Sequence, residues 1–325
     1  MRKTVLLAAL LLMSIGNASI GGAQAQNFPS KPLRLVVAFP AGGPIDFAAR
    51  VLSPKMSELL GQQVIVDNRA GANGIIGSDF VAKSPPDGYT LVLASPGAVA
   101  ISPAIYPKMP FDTLRDFTPV TLVSTTPELL VVHPSLPVKN VRELVALAKA
   151  RPGQLNMAST GTGGLPHLAL ELLKTAAKID MLHIPYKGAA PAVSDLIAGH
   201  AQGLFADLPV LLPHVESKRL RALAVAAPER AALLPDLPTM KEQGLPTVEA
   251  VNWYGILIAP KTPAPIVAKL NEVMVKTLSD KGVSEKLIAR GAQPVGSKPE
   301  EFAAYLKADM ERWAKLAKTT NIKVE

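Results

Sequence analysis

Short apolar runs alternate along the chain with stretches whose apolar positions recur every three or four residues, which predicts an α/β architecture. Leu33 to Phe39 reads as a first strand, Val64 to Val66 as a short second and Tyr89 to Ala94 as a third. Between the first two, Ile45, Ala48, Ala49, Leu52, Met56, Leu59 and Leu60 fall on one helical face. Pro44 suits the first helical position there and Gly61 the stop. A second set begins near Thr126, with a strand over Leu129 to Val132 and a helix over Val141 to Ala150. A strand over Leu155 to Ala158 and a helix over Leu168 to Ala177 follow, then strands at Met181 to Ile184, Gly203 to Phe205 and Leu223 to Ala226. Pro228 to Pro246 reads as a proline-rich surface connection, and Trp253 to Ala259 as a strand that returns to the first set. Two C-terminal helices complete the pattern. Thr262 caps one with Pro263 at its first position, and Ser297 caps the other, whose face is Phe302, Leu306, Met310, Trp313 and Leu316. Those aromatic and methionine stripes read as core.

Two glycine-rich turns interrupt this pattern: Phe39-Pro40-Ala41-Gly42-Gly43-Pro44 and Ser159-Thr160-Gly161-Thr162-Gly163-Gly164. Each follows a buried strand and opens a helix. A bare backbone at a helix N-terminus aims several N–H donors and the positive end of the helix dipole at one place, which suits a carboxylate or a phosphate. Two such turns far apart in sequence point to a ligand held between two domains.

Composition narrows the choice. Arg2-Lys3, the apolar run from Val5 to Met13 and Ala23-Gln24-Ala25 form an export signal with cleavage expected after Ala25. The apolar part is shorter than the ~20 residues that span a bilayer. Without it 300 of the 325 residues remain, and the net charge falls from +8 to +6 as Arg2 and Lys3 are lost. That length suits two domains. There is no cysteine, so stability rests on the core. Basic residues are scattered and aromatics are 5%, which excludes a nucleic-acid groove. The basic surplus suits solubility or attraction of anions.

Enzyme readings lack their motifs. No G-x-S-x-G elbow occurs, Pro166 stands where a dinucleotide fingerprint needs its third glycine, and no Walker A sequence is present. His133, His167, His183, His200 and His214 have no ligand spacing for a metal. The chain reads as a binder with no catalytic residue, no metal and no cofactor.

The ordered motifs resemble those of the periplasmic solute-binding proteins of tripartite tricarboxylate transporters, the Bug family. The carriers are Pro32 to Val37 leading into Phe39-Pro40-Ala41-Gly42-Gly43, with Asp46 and Arg50, then Asp67-Asn68-Arg69, Gly71-Ala72-Asn73-Gly74 and Pro86-Asp87-Gly88-Tyr89-Thr90. Gly161-Thr162-Gly163-Gly164 with His167-Leu168, Pro185-Tyr186-Lys187-Gly188, Arg221 to Val225 and Trp253-Tyr254-Gly255 continue it, so that it covers the chain from Pro29 to about Lys323. The resemblance implies a two-lobed, type II-like periplasmic binding protein fold, with α/β domains joined by crossing hinge strands. The expected division is 26–125 with 253–325 as one domain and 126–252 as the other. The lobes are expected to rotate about Thr125 to Glu128 and Ala250 to Trp253. It also implies a monomer that captures a small carboxylate (di- or tricarboxylate, aromatic carboxylate or acidic amino acid) and delivers it to membrane permease subunits. A sensory partner of a membrane receptor kinase is the alternative, and a hydrolase a remote one.

The candidate ligand-binding residues follow from the turns and their surroundings. The turn Pro40, Ala41, Gly42 and Gly43 is expected to contact the ligand, its backbone N–H groups coming from Ala41, Gly42 and Gly43, and Asp46 is expected to organise that turn with Arg50 one helical turn on. The family often carries a hydroxyl where this chain has Ile45, which removes a side-chain donor. Ser159, Thr160 and Thr162 add hydroxyls to Gly161 and Gly163 in the second turn, with helix capping as the competing use and His167 just inside the helix. Ser95, Pro96 and Gly97 are expected to form another wall, and Asp207 the rim. Tyr186 and Lys187 precede a helix near Gly188, with Lys187 solvated.

Overall fold

A computed structural model of the chain describes residues 28–320 and 322, so the expected export signal and its cleavage site lie outside the described residues. In chain order the strands are β1 (Leu33–Val37), β2 (Val64–Asn68), β3 (Thr90–Ala94), β4 (Thr118–Val132), β5 (Asn156–Ser159), β6 (Leu182–Pro185), β7 (Gly203–Asp207), β8 (Arg221–Val225), β9 (Val251–Ile258) and β10 (Gln293–Pro294). The helices are α1 (Pro44–Leu60), α2 (Ile75–Ala82), α3 (Ser102–Ile105), α4 (Thr113–Asp116), α5 (Val141–Ala150), α6 (Leu165–Ala177), α7 (Ala189–Ile197), α8 (Leu208–Glu216), α9 (Ala264–Ser279), α10 (Lys281–Ile288) and α11 (Pro299–Thr320). The strands join in the order β2-β1-β3-β9-β4-β7-β5-β6, with β8 and β10 also on β4.

Each half of the sheet has a parallel core. β1 lies between β2 and β3, and β5 between β6 and β7. The alternation of strand and helix demands this, because a parallel neighbour needs a crossover helix. β1 is apolar almost throughout, with Leu33, Leu35, Val36 and Val37 buried, as a strand covered on both faces must be. The predicted inner face of α1 is buried except for Leu59, which is half-buried. Gly61 ends that helix in a left-handed conformation at φ 66°.

β4 is the strand that joins the halves. Its residues up to Pro127 pair with β9, and Glu128 to Val132 pair with β7 and β8. The sequence pattern places a new element near Thr126, whereas one strand runs through from Thr118. The difference lies in Pro119 and Pro127, which read as strand breakers. A register shift follows Pro119, and Pro127 sits where both partners change, β9 and β10 giving way to β7 and β8. At the crossing, Glu128 N–H donates to Ala250 O, Ala250 N–H to Ala226 O and Ala226 N–H to Glu128 O, at 3.1, 2.7 and 2.8 Å.

Three expected helix starts shift. α6 begins at Leu165 rather than Leu168, because Pro166 falls in the first turn, where its missing N–H costs nothing. α9 begins at Ala264, and the Thr262 hydroxyl donates to Ala259 O instead of capping. α11 begins at Pro299. Ser297 Oγ accepts from Leu122 N–H at 3.0 Å and so ties the helix to β4, while Glu301 receives the Lys298 N–H. The predicted core of α11 stands, except that Met310 is only half-buried. Trp253 and Trp313 are fully buried, and Trp253 Nε1 donates to Asp309 at 2.9 Å.

Candidate functional site

The first glycine turn is held from behind. β1 ends at Val37, Gly42 takes φ 83°, and Gly43 is the N-cap of α1 with no side chain capping the helix. Asp46, 2% exposed, accepts the Gly42 N–H at 2.9 Å and Arg50 Nε at 2.8 Å on one oxygen, and Asn68 Nδ2 at 2.9 Å on the other. Asn68 reaches over from β2 and also donates to Phe39 O. Burial works against the charge on Asp46, but the bonds from Arg50, Gly42 and Asn68 outweigh it and hold the carboxyl below its ordinary range. Asp46 therefore organises the turn. Ile45 is buried in the core of the first lobe, so the position where a hydroxyl was missed faces packing.

The second turn repeats the geometry with other chemistry. Gly163 takes φ 75°, and Gly164 caps α6 at φ −81°, ψ 167°, against φ −78°, ψ 171° at Gly43. No side chain caps this helix either. The hydroxyls of Ser159, Thr160 and Thr162 are thus not used for capping. Gly163 N–H donates to His167 Nδ1 at 3.1 Å, which puts the ring proton on Nε2. His183 comes from β6, stacks on His167 with centroids 3.9 Å apart, and shares a 2.6 Å hydrogen bond with Ser159 Oγ. Burial, aided by the positive charge of Lys174, lowers His167 to about 4; burial and the neighbouring imidazole lower His183 to about 4. Both rings are neutral at pH 7. Ser159 is fully buried and its hydroxyl also donates to Gly161 O, so it supports the turn from within. Thr160 is half-buried and Thr162 exposed.

Other predicted wall residues converge from the first lobe. Ser95 is buried after β3, and Gly97 opens a short π-helical turn (Gly97–Ile101) beside Asn73. A Cβ on Gly97 would lie 3.0 Å from Asn73 Oδ1, so glycine admits the amide. Asn73 sits at φ 53°, and its Nδ2 donates to Gly163 O at 3.4 Å, a contact from one lobe to the other. The motif containing Asn73 was visible in the sequence; its reach was not. Lys187 is exposed, and Tyr186 donates to Asp195.

Asp207 lies at the strand crossing. Asn252 Nδ2 contacts its two oxygens at 2.9 and 3.0 Å, and Glu128 is its register partner across β4 and β7. Glu128 is 1% exposed and has an oxygen with no partner. Burial, the charge of Asp207 and the hydrogen bond they share push Glu128 well up; burial also raises Asp207, less so because Asn252 and Glu128 bond to it. The pair holds a proton, carried by Glu128. A lone acid before an apolar run was the only sequence signal for it. Among the described residues no group of three or more His, Cys, Asp or Glu side chains could hold a metal, and no helix is long and apolar enough to cross a membrane.

Two α/β halves that share a through-running strand, each with a glycine turn opening a helix that no side chain caps, match the architecture of a solute-binding protein of the periplasmic type. The family described as tripartite tricarboxylate transporter family receptor matches residues 48–322, and the chain belongs to it. It is a binding receptor and not an enzyme. The chain is 38% identical over 329 residues to the protein BugT of Bordetella pertussis, covering 100% of both. It is similar to an R. palustris protein, Rpa4515, solved with adipate (37% identity, TM-score 0.84, covering 91% of this chain and 99% of that one). It is also similar to MatC of Rhodopseudomonas palustris with bound malate (32%, TM-score 0.80, covering 89% and 99%).

Proposed function

We propose that this protein is exported to the periplasm, captures a small carboxylate-bearing solute between its two glycine turns, and delivers it to the permease subunits of a tripartite tricarboxylate transporter. The observation that carries the reading is the matched pair of uncapped helix N-termini, each preceded by a glycine with positive φ. Such ends leave N–H donors and positive dipole for an anion. Adipate and malate, bound by two relatives, are both carboxylates of the size such a cleft takes.

In this reading Pro40 to Gly43 form one jaw, and Thr160, Gly161, Thr162 and Gly163 the other; the N–H groups of Gly42, Gly161 and Gly163 are taken by Asp46, Ser159 and His167, so the remaining donors of each turn meet the solute. Ser95 and Gly97 make the wall. Asp46, Ser159 and His167 hold the backbone in place from the rear, and Asp207 is tied to Asn252 and Glu128 at the strand crossing. The lobes, 28–125 with 253–320 and 126–252, turn about the crossing of β4 and β9, and closure is favoured only as far as the solute prefers the closed state. The Asn73 contact to Gly163 suits the closed form.

The test is a thermal-shift panel on the mature protein with dicarboxylates, tricarboxylates, aromatic carboxylates, acidic amino acids and their neutral amides. A ligand at 100 times its Kd stabilises by about 2.7 kcal/mol. Shifts with carboxylates and none with the amides are expected. Shifts confined to the uncharged compounds would sink the proposal.

A further inference from the structure

The acid pair at the strand crossing has no task in the capture of a solute. Glu128 and Asp207 face each other across β4 and β7, at the point where β4 leaves β9 for the second lobe. Glu128 is 1% exposed, and one of its oxygens has no partner. Asp207 accepts from the Asn252 amide of β9 on both oxygens. The other neighbours of Glu128 are Ala226 and Ala250, which bond to its backbone. Tyr254, also on β9, is buried beside the pair and stays neutral. No cation offsets the charge of either carboxyl.

The cover over this pair is made by both lobes. Asp207 is followed at once by α8, whose first residue, Leu208, is buried against Gly291 of the first lobe. Gly291 has φ 72°, and a Cβ there would collide with the Leu208 side chain, so the lobes touch closely. Outside that contact a cavity of about 170 Å³ lies between Pro209 and Val210 of α8, Thr126 and Tyr254 of the crossing strands, and Leu287 and Ala292 of the first lobe. Glu128 and Asp207 do not line it. The acids are thus separated from the cleft by a layer of side chains to which both lobes contribute. Parting the lobes would draw Gly291 off Leu208 and let water through that layer. Two carboxyls side by side with no cation cannot both ionise away from water, whereas in water they can. Burial is the largest reason that Glu128 keeps its proton.

We infer that closure of the lobes is coupled to a proton: Glu128 takes one up from solvent as the cleft shuts and returns it as the cleft opens, so that the receptor loads a proton together with its solute. The inference rests on the proposed capture function, which supplies the opening and closing. The Glu128 carboxylate becomes the acid, and no other bond changes. Its proton is held more tightly in the closed form than in the open one. Closure is therefore favoured as the pH falls, and that advantage is lost as the pH rises through the closed-form value. The proton also takes the pair from two negative charges to one, which eases the approach of an anion. Solute affinity should rise by up to about tenfold per unit fall in pH, between the closed-form and open-form values of Glu128.

Two measurements on the mature protein test this. Calorimetric titration at about pH 7.5, in phosphate and in Tris, counts the protons taken up per bound solute through the difference in buffer ionisation heat. The probe is adipate or, if adipate gives no heat, the carboxylate with the largest thermal shift. Small-angle scattering of the unliganded protein from about pH 6.5 to 9, where the stacked histidines stay neutral, reads the same proton without a ligand. The wild type is expected to take up a substantial fraction of one proton per solute, and its radius of gyration to grow as the pH rises. Glu128→Gln, an amide in place of the protonated acid, should take up none and keep one radius throughout. A wild type with neither response overturns the inference, as does a variant that responds like the wild type. Should Glu128→Gln fail to fold, Asp207→Asn, which removes the like charge, decides in its place: a diminished response supports the coupling and an unchanged one overturns it. If a carboxylate binds with neither response, the coupling fails and the capture function stands. If no carboxylate binds, the capture function has failed, and the scattering alone decides whether the crossing carries a proton that moves with the lobes.

Discussion

The two glycine turns share a backbone and differ in the chemistry that holds it. In each, a glycine with positive φ gives its N–H to the side chain four residues on, and a second glycine then caps a helix without side-chain help. A residue from the neighbouring parallel strand braces that side chain: Asn68 beside Asp46, His183 beside His167. The first turn uses an ionised carboxylate, tied to Arg50 at 2.8 Å. The second uses neutral imidazoles stacked on one another, with Glu171 four residues beyond His167. What the geometry requires is an acceptor at one position and a brace beside it. Either a carboxylate or an unprotonated ring nitrogen meets that requirement.

Removing the acceptor should break the first turn most severely. Asp46→Ala removes the buried acceptor of the Gly42 N–H and one of the two acceptors of the Asn68 amide, a loss of about 1–2 kcal/mol. Half-exposed Arg50 returns to water and adds little to that cost. Denaturant melts of the variant would give the figure, and a change below ~0.5 kcal/mol would mean that the turn holds itself.

The same comparison predicts that the turns fail in different pH windows. The histidines titrate near 4 in the folded protein against about 6.5 unfolded, so between those values the unfolded chain binds more protons. Their contribution is complete above about pH 6.5 and is lost as the pH falls toward 4, in all on the order of a few kcal/mol. Asp46, whose pKa is lowered, keeps its contribution until the pH falls below the ordinary carboxylate range. Amide exchange should therefore rise first around Gly163 and only later around Gly42. His167→Asn with His183→Gln keeps an acceptor at each place and should remove the loss between pH 6.5 and 4. Simultaneous opening of both turns would contradict the distinction.

Between the turns, the strand crossing has the opposite sign. Glu128 titrates well above its unfolded value, so its proton stabilises the fold at low pH and that stability is lost as the pH rises through the folded value. Burial and Asp207 on β7 disfavour its charge, while Tyr254 on β9 stays neutral. From about pH 4.3 upward the wild-type protein should lose up to about 1.4 kcal/mol per pH unit from this proton. Glu128→Gln keeps a donor to Asp207 and should flatten that slope; chemical denaturation across pH 5 to 9 measures it.

These differences also mark what could be read from the chain alone. Gly42, Gly43, Pro44 and Gly61 determine the backbone of their own neighbours, so the turn and both ends of α1 were legible. The role of Asp46 was legible too, because its partners Gly42 and Arg50 lie four residues before and after it, in the turn and on the helix it opens. The bracing of His167 by His183 was not, since it depends on how β5 and β6 align. Glu128 and Asp207 meet only through the register of β4 and β7, and the continuity of β4 was hidden by prolines whose missing N–H groups fall where the pairing changes. Local backbone demands leave residue-type signatures. Meetings of distant strands leave almost none.

Asn73 gives the smallest effect and the finest test of whether the two turns act together. Its amide donates to Gly163 O at 3.4 Å from a left-handed turn of the other lobe, a contact available only when the lobes are near each other. One long hydrogen bond contributes about 0.5–1 kcal/mol. Asn73→Asp retains the size of the residue and its tolerance of positive φ but replaces the donor with an acceptor facing a carbonyl. It should weaken solute binding about two- to fivefold, shift the unliganded scattering profile toward a larger radius and leave the melting of each lobe nearly unchanged. If affinity falls with no change in the scattering profile, Asn73 serves the ligand and not the approach of the lobes. If neither moves, the second turn closes on the first without its help, and each jaw is positioned wholly by its own acceptor and brace.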